Sequence, residues 1–197
     1  MAKTFEDKLH NTLTYFRFPL VALFVILIIA LIKDINFFWY GAAVSIFGEA
    51  IQCWASSQIH KEQKLTVSGP YSYVRNPMYI GRFFVFFGLF IMTKNPYLIL
   101  AYLVLFFVYA QIRVKREEKK LITIFGEDYK HYCNEIHRWL PSFKAYSKAT
   151  QQKSSYAQLS VNHENINAMV VIGALVLIYL RIYFQDELLR IYQSIFG

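Results

Sequence analysis

Cysteine and clustered metal ligands are scarce in this 197-residue chain. Cys53 lies in an apolar run and Cys133 in a distant polar segment, so we expect different environments and no disulfide. The five histidines are scattered, and His131 and His137 stand six residues apart with no partner at the spacing of a zinc site. The sequence therefore predicts neither a disulfide framework nor a metal centre.

Charged residues are also few, at 17% of the chain, whereas hydrophobic residues make up 56%. This composition is far more apolar than a soluble domain of this size needs. Five apolar runs equal or approach the roughly 20 residues that cross a bilayer. They are Phe16–Ile32, Phe37–Ser57, Tyr79–Met92, Tyr97–Ile112 and Ile166–Phe184. We therefore predict an all-α integral membrane protein with about five transmembrane helices. The third and fourth would form a hairpin with its turn at Lys94-Asn95-Pro96, where Asn95 is placed to cap the fourth helix.

Lysine and arginine are distributed unevenly between the predicted loops. Most of them lie in residues 1–17, in the loop before the third helix and in residues 113–165. By the positive-inside rule these segments are cytoplasmic and the C-terminus is outside. Residues 1–17 read as an amphipathic lead-in on the membrane surface, and the first helix as a retained anchor, because no cleavage pattern follows it. The net charge of +8 suits anionic lipid. No recognition module accompanies it, so we expect no nucleic-acid partner.

Three regions follow from composition. Residues 1–143 are predicted to form the membrane core, in which Gly126 breaks a helix that continues the fourth span into the cytoplasm. Residues 144–165 are rich in serine, glutamine and asparagine, which is typical of a linker or a disordered segment. Residues 166–197 then form an appended helix and tail.

Residues 68–82 form a polar, turn-rich stretch between two apolar runs. Gly69-Pro70 marks a turn, and Asn76-Pro77 places a capping side chain and a proline at the start of the third helix. Unpaired N–H groups at a helix start suit a carboxylate or phosphate of a bound cofactor. The hairpin brings this start beside the end of the fourth span, so a polar pocket is predicted at the membrane surface. The facing residues would be Arg75, Asn76 and Tyr79 on one side and Arg113, Glu117 and Glu118 on the other.

Glu49 and Gln52 lie within the predicted second helix. A carboxylate exposed to lipid costs about 3 kcal/mol, so both side chains should face the bundle. Two interpretations remain open: they line the cavity for an acceptor, or they bond to the third helix.

Two separated motifs carry a resemblance to a known family. Gly69-Pro70-Tyr71 followed by Arg75-Asn76-Pro77-Met78-Tyr79-Ile80-Gly81 resembles the signature G-x-Y…R-H-P-x-Y-x-G. The second motif is Arg113-x4-Glu118-x2-Leu121-x3-Phe125-Gly126-x2-Tyr129-x2-Tyr132, followed by Arg138-Trp139-Leu140-Pro141. Together they are similar to the isoprenylcysteine carboxyl methyltransferase and phospholipid methyltransferase superfamily, over roughly residues 40–141. The compact form resembles bacterial or archaeal members, which implies a cytoplasmic membrane.

The resemblance implies methyl transfer from S-adenosylmethionine to a lipidic acceptor: an isoprenylcysteine-type carboxylate, a phospholipid amine or another isoprenoid lipid. Arg75 and Arg113 match arginines near the acceptor or the cofactor carboxylate. The implied cofactor residues are Gly69, Tyr71, Asn76, Pro77, Tyr79, Glu117 and Glu118. Asn76 replaces the histidine of eukaryotic carboxyl methyltransferases and cannot accept a proton, which favours a carboxylate, thiol or hydroxyl acceptor over an ammonium.

Two other functions fit parts of the sequence. Integral sterol and steroid reductases carry a motif like R-H-P-x-Y and bind NADPH, although this chain is short for that class and has the methyltransferase-like second motif. A non-catalytic membrane protein would use residues 144–165 and the last helix for assembly. Binding of S-adenosylmethionine, of NADPH or of neither separates the three.

Overall fold

The computed structural model describes residues 26–59 and 64–196. Within these ranges every regular element is helical, which confirms the all-α prediction there. Residues 26–31 are helical, and the further elements are α1 (Ile35–Ser56), a 3₁₀ turn (Gly69–Ser72), α2 (Pro77–Met92), α3 (Pro96–Glu135), α4 (Tyr156–Val161) and α5 (Glu164–Phe196). The predicted lead-in 1–17 and most of the first apolar run lie outside the described residues.

Among the residues that the structure describes, two helices are long and apolar enough to cross a membrane, namely α3 and the Glu164–Gln185 part of α5. Only 17% and 11% of their apolar stretches are buried, whereas the core helix of a soluble protein is mostly buried. Helix α2 is apolar but has only 16 residues. Within residues 26–59 and 64–196, two of the predicted spans thus meet the criteria of length and composition, and the total number of spans stays a prediction.

Helices α1 and α2 pack closely and antiparallel along a seam of small residues. A Cβ atom on Gly48 would lie 2.6 Å from the carbonyl oxygen of Gly81, so only glycine permits this approach. One and two turns further along, the Ser45 hydroxyl donates to the Val85 carbonyl at 2.9 Å, and Gly41 meets Gly88. This seam fixes where the first turn of α2 lies.

The helix ends agree with the sequence at two places and differ at one. The Asn95 side chain accepts from the backbone N–H groups of residues 97 and 98, which confirms the cap predicted for α3. Gly126 has φ +54°, which confirms the predicted break. The prediction that the Asn76 side chain caps α2 is wrong. Its amide instead donates to the Arg138 carbonyl at 3.2 Å, because the chain after α3 returns alongside and offers an acceptor.

The middle of α5 is tied to the helical segment 26–31 and packs against α1 and α2. The Arg181 guanidinium donates to the carbonyls of Ile29, Ala30 and Ile32 at 2.7, 3.1 and 2.6 Å, which caps the helical segment 26–31. Around it, Ile178 and Ile182 are buried against Phe38 and Met92.

Residues 144–165 are more ordered than their composition indicates. They contain α4, so the disordered alternative is wrong for residues 156–161. The Gln158 amide donates to the Ile59 carbonyl at 2.8 Å, and the Asn162 amide donates to the Ser56 carbonyl at 2.8 Å. Polar side chains in this segment therefore satisfy the end of α1. The predicted domain boundaries stay predictions.

Candidate functional site

The start of α2 and the middle of α3 meet through a hydrogen bond between side chains. Pro77 opens α2 and places Tyr79 in its first turn, where the Tyr79 hydroxyl donates to Glu117 Oε1 at 2.7 Å. Arg113, one turn earlier on α3, holds its Nη2 atom 3.7 Å from the same oxygen. Both contacts use Oε1. The hairpin geometry therefore joins the two motif segments.

Glu118 connects three parts of the chain and is only 9% exposed. Arg138, beyond the end of α3, donates to it through Nε and Nη2 at 3.0 and 2.5 Å. Arg75, just before α2, holds Nη1 3.3 Å away. Two guanidinium groups thus neutralise one carboxylate, and the hydrogen bond to Glu118 raises the pKa of Arg138 above its ordinary value. The buried Nε atom of Arg75 has no hydrogen-bond partner among the described residues.

The loop before α2 is held by the segment that follows Gly126. The buried Tyr132 hydroxyl donates to the Tyr71 carbonyl at 2.6 Å. Backbone N–H groups of Ser142 and Tyr146 donate to the carbonyls of residues 73 and 72, each at 2.8 Å. Burial raises the pKa values of the Tyr71 and Tyr132 hydroxyls, so both stay protonated at neutral pH.

A cavity of about 630 Å³ lies between these segments. Its volume falls within the range of about 300–1,000 Å³ that is usual for ligand pockets. Seven residues that the sequence singled out line it: Tyr71, Arg75, Asn76, Tyr79, Arg113, Glu117 and Glu118. The charged lining comprises two glutamates and six basic residues, the latter being Lys64, Arg75, Arg82, Arg113, Arg116 and Lys120. The cavity is therefore strongly basic, and both of its carboxylates contact basic side chains of the protein.

Four of the predicted residues lie elsewhere. Gly69 has φ +55° and packs against Trp54 and Gln58, so it shapes the loop behind the cavity. Pro77 is buried at the start of α2. The Gln52 amide donates to Glu49 Oε2 at 3.1 Å, and the backbone and side chain of Gln52 pack against Gly81. Neither Glu49 nor Gln52 lines this cavity, and the contact with Gly81 supports packing against α2 instead.

Sequence analysis missed Arg138 as a site residue. Its place inside the second motif was a signal for a role in the site. Its partner Glu118, however, lies 20 residues earlier, and the kink at Gly126 that brings the two together cannot be read from their spacing. The basic residues Arg82 and Arg116 were also missed, since charges near a membrane surface are typical of topology as well as of a site.

Comparisons with known proteins agree with the motifs. A family model described as "Phospholipid methyltransferase" matches residues 15–128. Protein-S-isoprenylcysteine O-methyltransferase of Tribolium castaneum is 31% identical over 53% of this chain and 36% of its own length. The protein of that name from Homo sapiens is 34% identical over 41% of the chain and 28% of its own length. Methanethiol S-methyltransferase of Crocosphaera subtropica is 35% identical over 36% of the chain and 27% of its own length.

The matched region covers only part of these proteins. The chain spans about a quarter to a half of the length of the curated relatives it matches, so their activities are properties of longer proteins. No solved structure matches the chain.

Proposed function

The chain belongs to the phospholipid methyltransferase family, and we propose that it transfers a methyl group from S-adenosylmethionine to a lipidic acceptor in the membrane. The observation that carries the proposal is the meeting of both motif segments around one basic cavity between the start of α2 and the middle of α3. The exposed apolar faces of α3 and α5 support a membrane location. The excess of basic residues beside the cavity supports a cytoplasmic orientation, and we propose a bacterial or archaeal cytoplasmic membrane.

The side chains present fit the polar groups of this cofactor. We propose that Arg75 binds its carboxylate and that Arg113 orients the anionic acceptor, because a guanidinium stays charged and can bind a carboxylate through two N–H groups. The unpartnered Nε of Arg75 is such a donor.

The amino group of the cofactor needs an acceptor, and the two adjacent glutamates can supply it. A carboxylate has about four acceptor sites; Glu118 uses two of them for Arg138 and has Arg75 Nη1 at 3.3 Å from its Oε1. Glu117 makes its contacts with Tyr79 and Arg113 through Oε1 alone, which leaves Oε2 for a ligand. In this proposal Tyr71, Asn76 and Tyr79 line the site, whereas Gly69 and Pro77 set the shape of its backbone.

Methyl transfer from a sulfonium mainly requires that the protein align the methyl donor with the acceptor. When bound, S-adenosylmethionine supplies an electrophilic methyl group on a sulfonium. The apolar side of the cavity, with Met78, Leu121 and Phe125, limits water, and the polar residues hold the reactants in line.

The charges of the cavity favour one class among the acceptors. Asn76 does not titrate, and the buried Tyr71 and Tyr132 hydroxyls have raised pKa values, so these groups are poor bases for an ammonium acceptor. Six basic residues against two glutamates suit an acceptor that is already anionic. We propose a carboxylate on an isoprenoid lipid ahead of a phospholipid amine.

The test is ligand binding followed by transfer of label. Purified protein in detergent is titrated calorimetrically with S-adenosylhomocysteine and with NADPH, and membranes are incubated with methyl-labelled S-adenosylmethionine. We expect micromolar binding of S-adenosylhomocysteine and label in the lipid extract that mild base releases, as a methyl ester requires. Binding of NADPH alone would favour a reductase. If neither S-adenosylhomocysteine nor NADPH binds, a non-catalytic role is favoured.

Three variants test the assigned roles. We expect Glu118→Ala to abolish cofactor binding and Arg113→Ala to lower turnover with binding nearly intact. Lys130→Ala is the matched control, because Lys130 is exposed and pairs with the exposed Glu127 beyond the kink. Thermal melting checks that each variant is folded. Cofactor binding by folded Glu118→Ala at the wild-type affinity would refute its role.

A further inference from the structure

Residues 139–143, here named the Trp139 loop, expose large apolar side chains beside the site. Phe143 is fully exposed and Leu140 is 73% exposed. Single apolar residues are common on protein surfaces, whereas neighbouring exposed ones such as Leu140 and Phe143 are candidates for an interaction site.

The position of the loop indicates the depth at which this patch lies. Trp139 packs with Tyr79, Ala110 and Val114, and its ring meets the Tyr79 ring edge-on at 6.4 Å between centroids. Tyr79 begins one predicted membrane span, and Ala110 lies in the last turn of the next. The Trp139 loop therefore leaves the protein at the level where both helices enter the bilayer.

The charges that flank the loop indicate what covers it. Lys144 and Lys148 follow directly and are exposed. Within residues 136–163 the sequence has no aspartate or glutamate, so the flank is uniformly basic. The nearest acidic residue before the loop, Glu135, is bonded to Ser147. Segments that lie in a membrane interface combine tryptophan, phenylalanine and leucine with lysine and arginine, and lysines there are attracted to anionic lipid.

We propose that the Trp139 loop inserts Leu140 and Phe143 into the interface of an anionic bilayer, beside the mouth of the cavity. The proposal rests on the membrane placement of α2 and α3 and not on methyl transfer. Insertion would hold the site at a fixed depth, because the Ser142 N–H bonds the Tyr73 carbonyl and the Arg75 N–H bonds the His137 carbonyl, at 2.8 and 3.0 Å.

The experiment places an environment-sensitive dye at single cysteines, in a Cys53→Ser, Cys133→Ala background. The labelled sites are Phe143→Cys, Leu140→Cys and two controls, Leu105→Cys on the exposed apolar face of α3 and Glu127→Cys beyond the kink. The protein is placed at one copy per nanodisc of phosphatidylcholine with phosphatidylglycerol, so a second copy cannot cover the dye. Thermal melting confirms that each labelled protein is folded.

We expect blue-shifted emission at positions 140 and 143, quenched by lipids with a nitroxide near the headgroup and protected from iodide. Position 127 should show the opposite pattern, and Lys144→Gln with Lys148→Gln should reduce lipid quenching at position 143. Iodide quenching at 143 equal to that at 127, with position 105 still in lipid, would overturn the insertion alone. Loss of lipid quenching at 105 as well would overturn the membrane placement and the insertion with it.

Discussion

Replacing Gly81 with valine should force α1 and α2 apart. A Cβ atom at position 81 would lie 2.7 Å from the Gly48 carbonyl oxygen and 2.5 Å from Gln52 Cγ. Ordinary contacts of a Cβ atom begin at 3.4 Å, so the backbones must separate by about 0.7 Å. Overpacking of this kind costs about 1–3 kcal/mol. Because a chain of this size loses about 2–4 °C per kcal/mol, we expect the melting temperature to fall by about 2–12 °C.

The same displacement should also lower activity. Tyr79 lies two residues before Gly81, so a shift of α2 changes its distance to Glu117, and misplacement by about 1 Å can cost a factor of about 100 in rate. The measurements are thermal unfolding in detergent and methyl transfer to lipid extract. Gly173→Ala on α5 is the control, since its Cβ would meet nothing within 4 Å. Equal melting temperatures and equal rates for the two variants would refute the close-packed seam.

Three further changes test separate contacts. Arg181→Met removes the donor to three backbone carbonyls and should cost about 2–4 kcal/mol in unfolding free energy, with Arg181→Lys intermediate. Tyr132→Phe leaves the Tyr71 carbonyl without its donor and should cost about 1–3 kcal/mol, and an unchanged melting temperature would contradict this. Hydrogen bonds from Ser147 lower the pKa of Glu135, so their stabilisation is present above the carboxyl's ordinary pKa and is lost as pH falls through the lowered value. Ser147→Ala should therefore flatten the fall of melting temperature as the pH drops below the ordinary pKa of the carboxyl.

The elements and their pairing were predictable because they depend on local signals. Apolar runs located α2, α3 and α5, and Asn95-Pro96 located the turn between α2 and α3. The meeting of Tyr79 with Glu117 followed from the hairpin, since two antiparallel helices joined by a short turn have their far ends side by side.

The partners that depend on the returning chain could not be predicted. Asn76 has the sequence of a cap, but the Arg138 carbonyl that it bonds arrives only after the kink at Gly126. The amides that bond the end of α1, on Gln158 among others, come from a stretch whose polar composition is typical of a linker. The glycine seam, in contrast, could have been predicted. Gly41 and Gly48 are seven residues apart, a spacing that places both on one face of a helix.

The long separation along the chain between Asn76 and Arg138 has a consequence for biosynthesis. Their hydrogen bond spans 62 residues, and a ribosome adding about 5–20 residues per second needs about 3–12 s to make them. During that interval α2 has been synthesised, but the segment around Arg138 that bonds Asn76 at its start has not. Insertion of the helices must therefore precede assembly of the cavity, and a nascent chain arrested before residue 138 would emerge unable to close it.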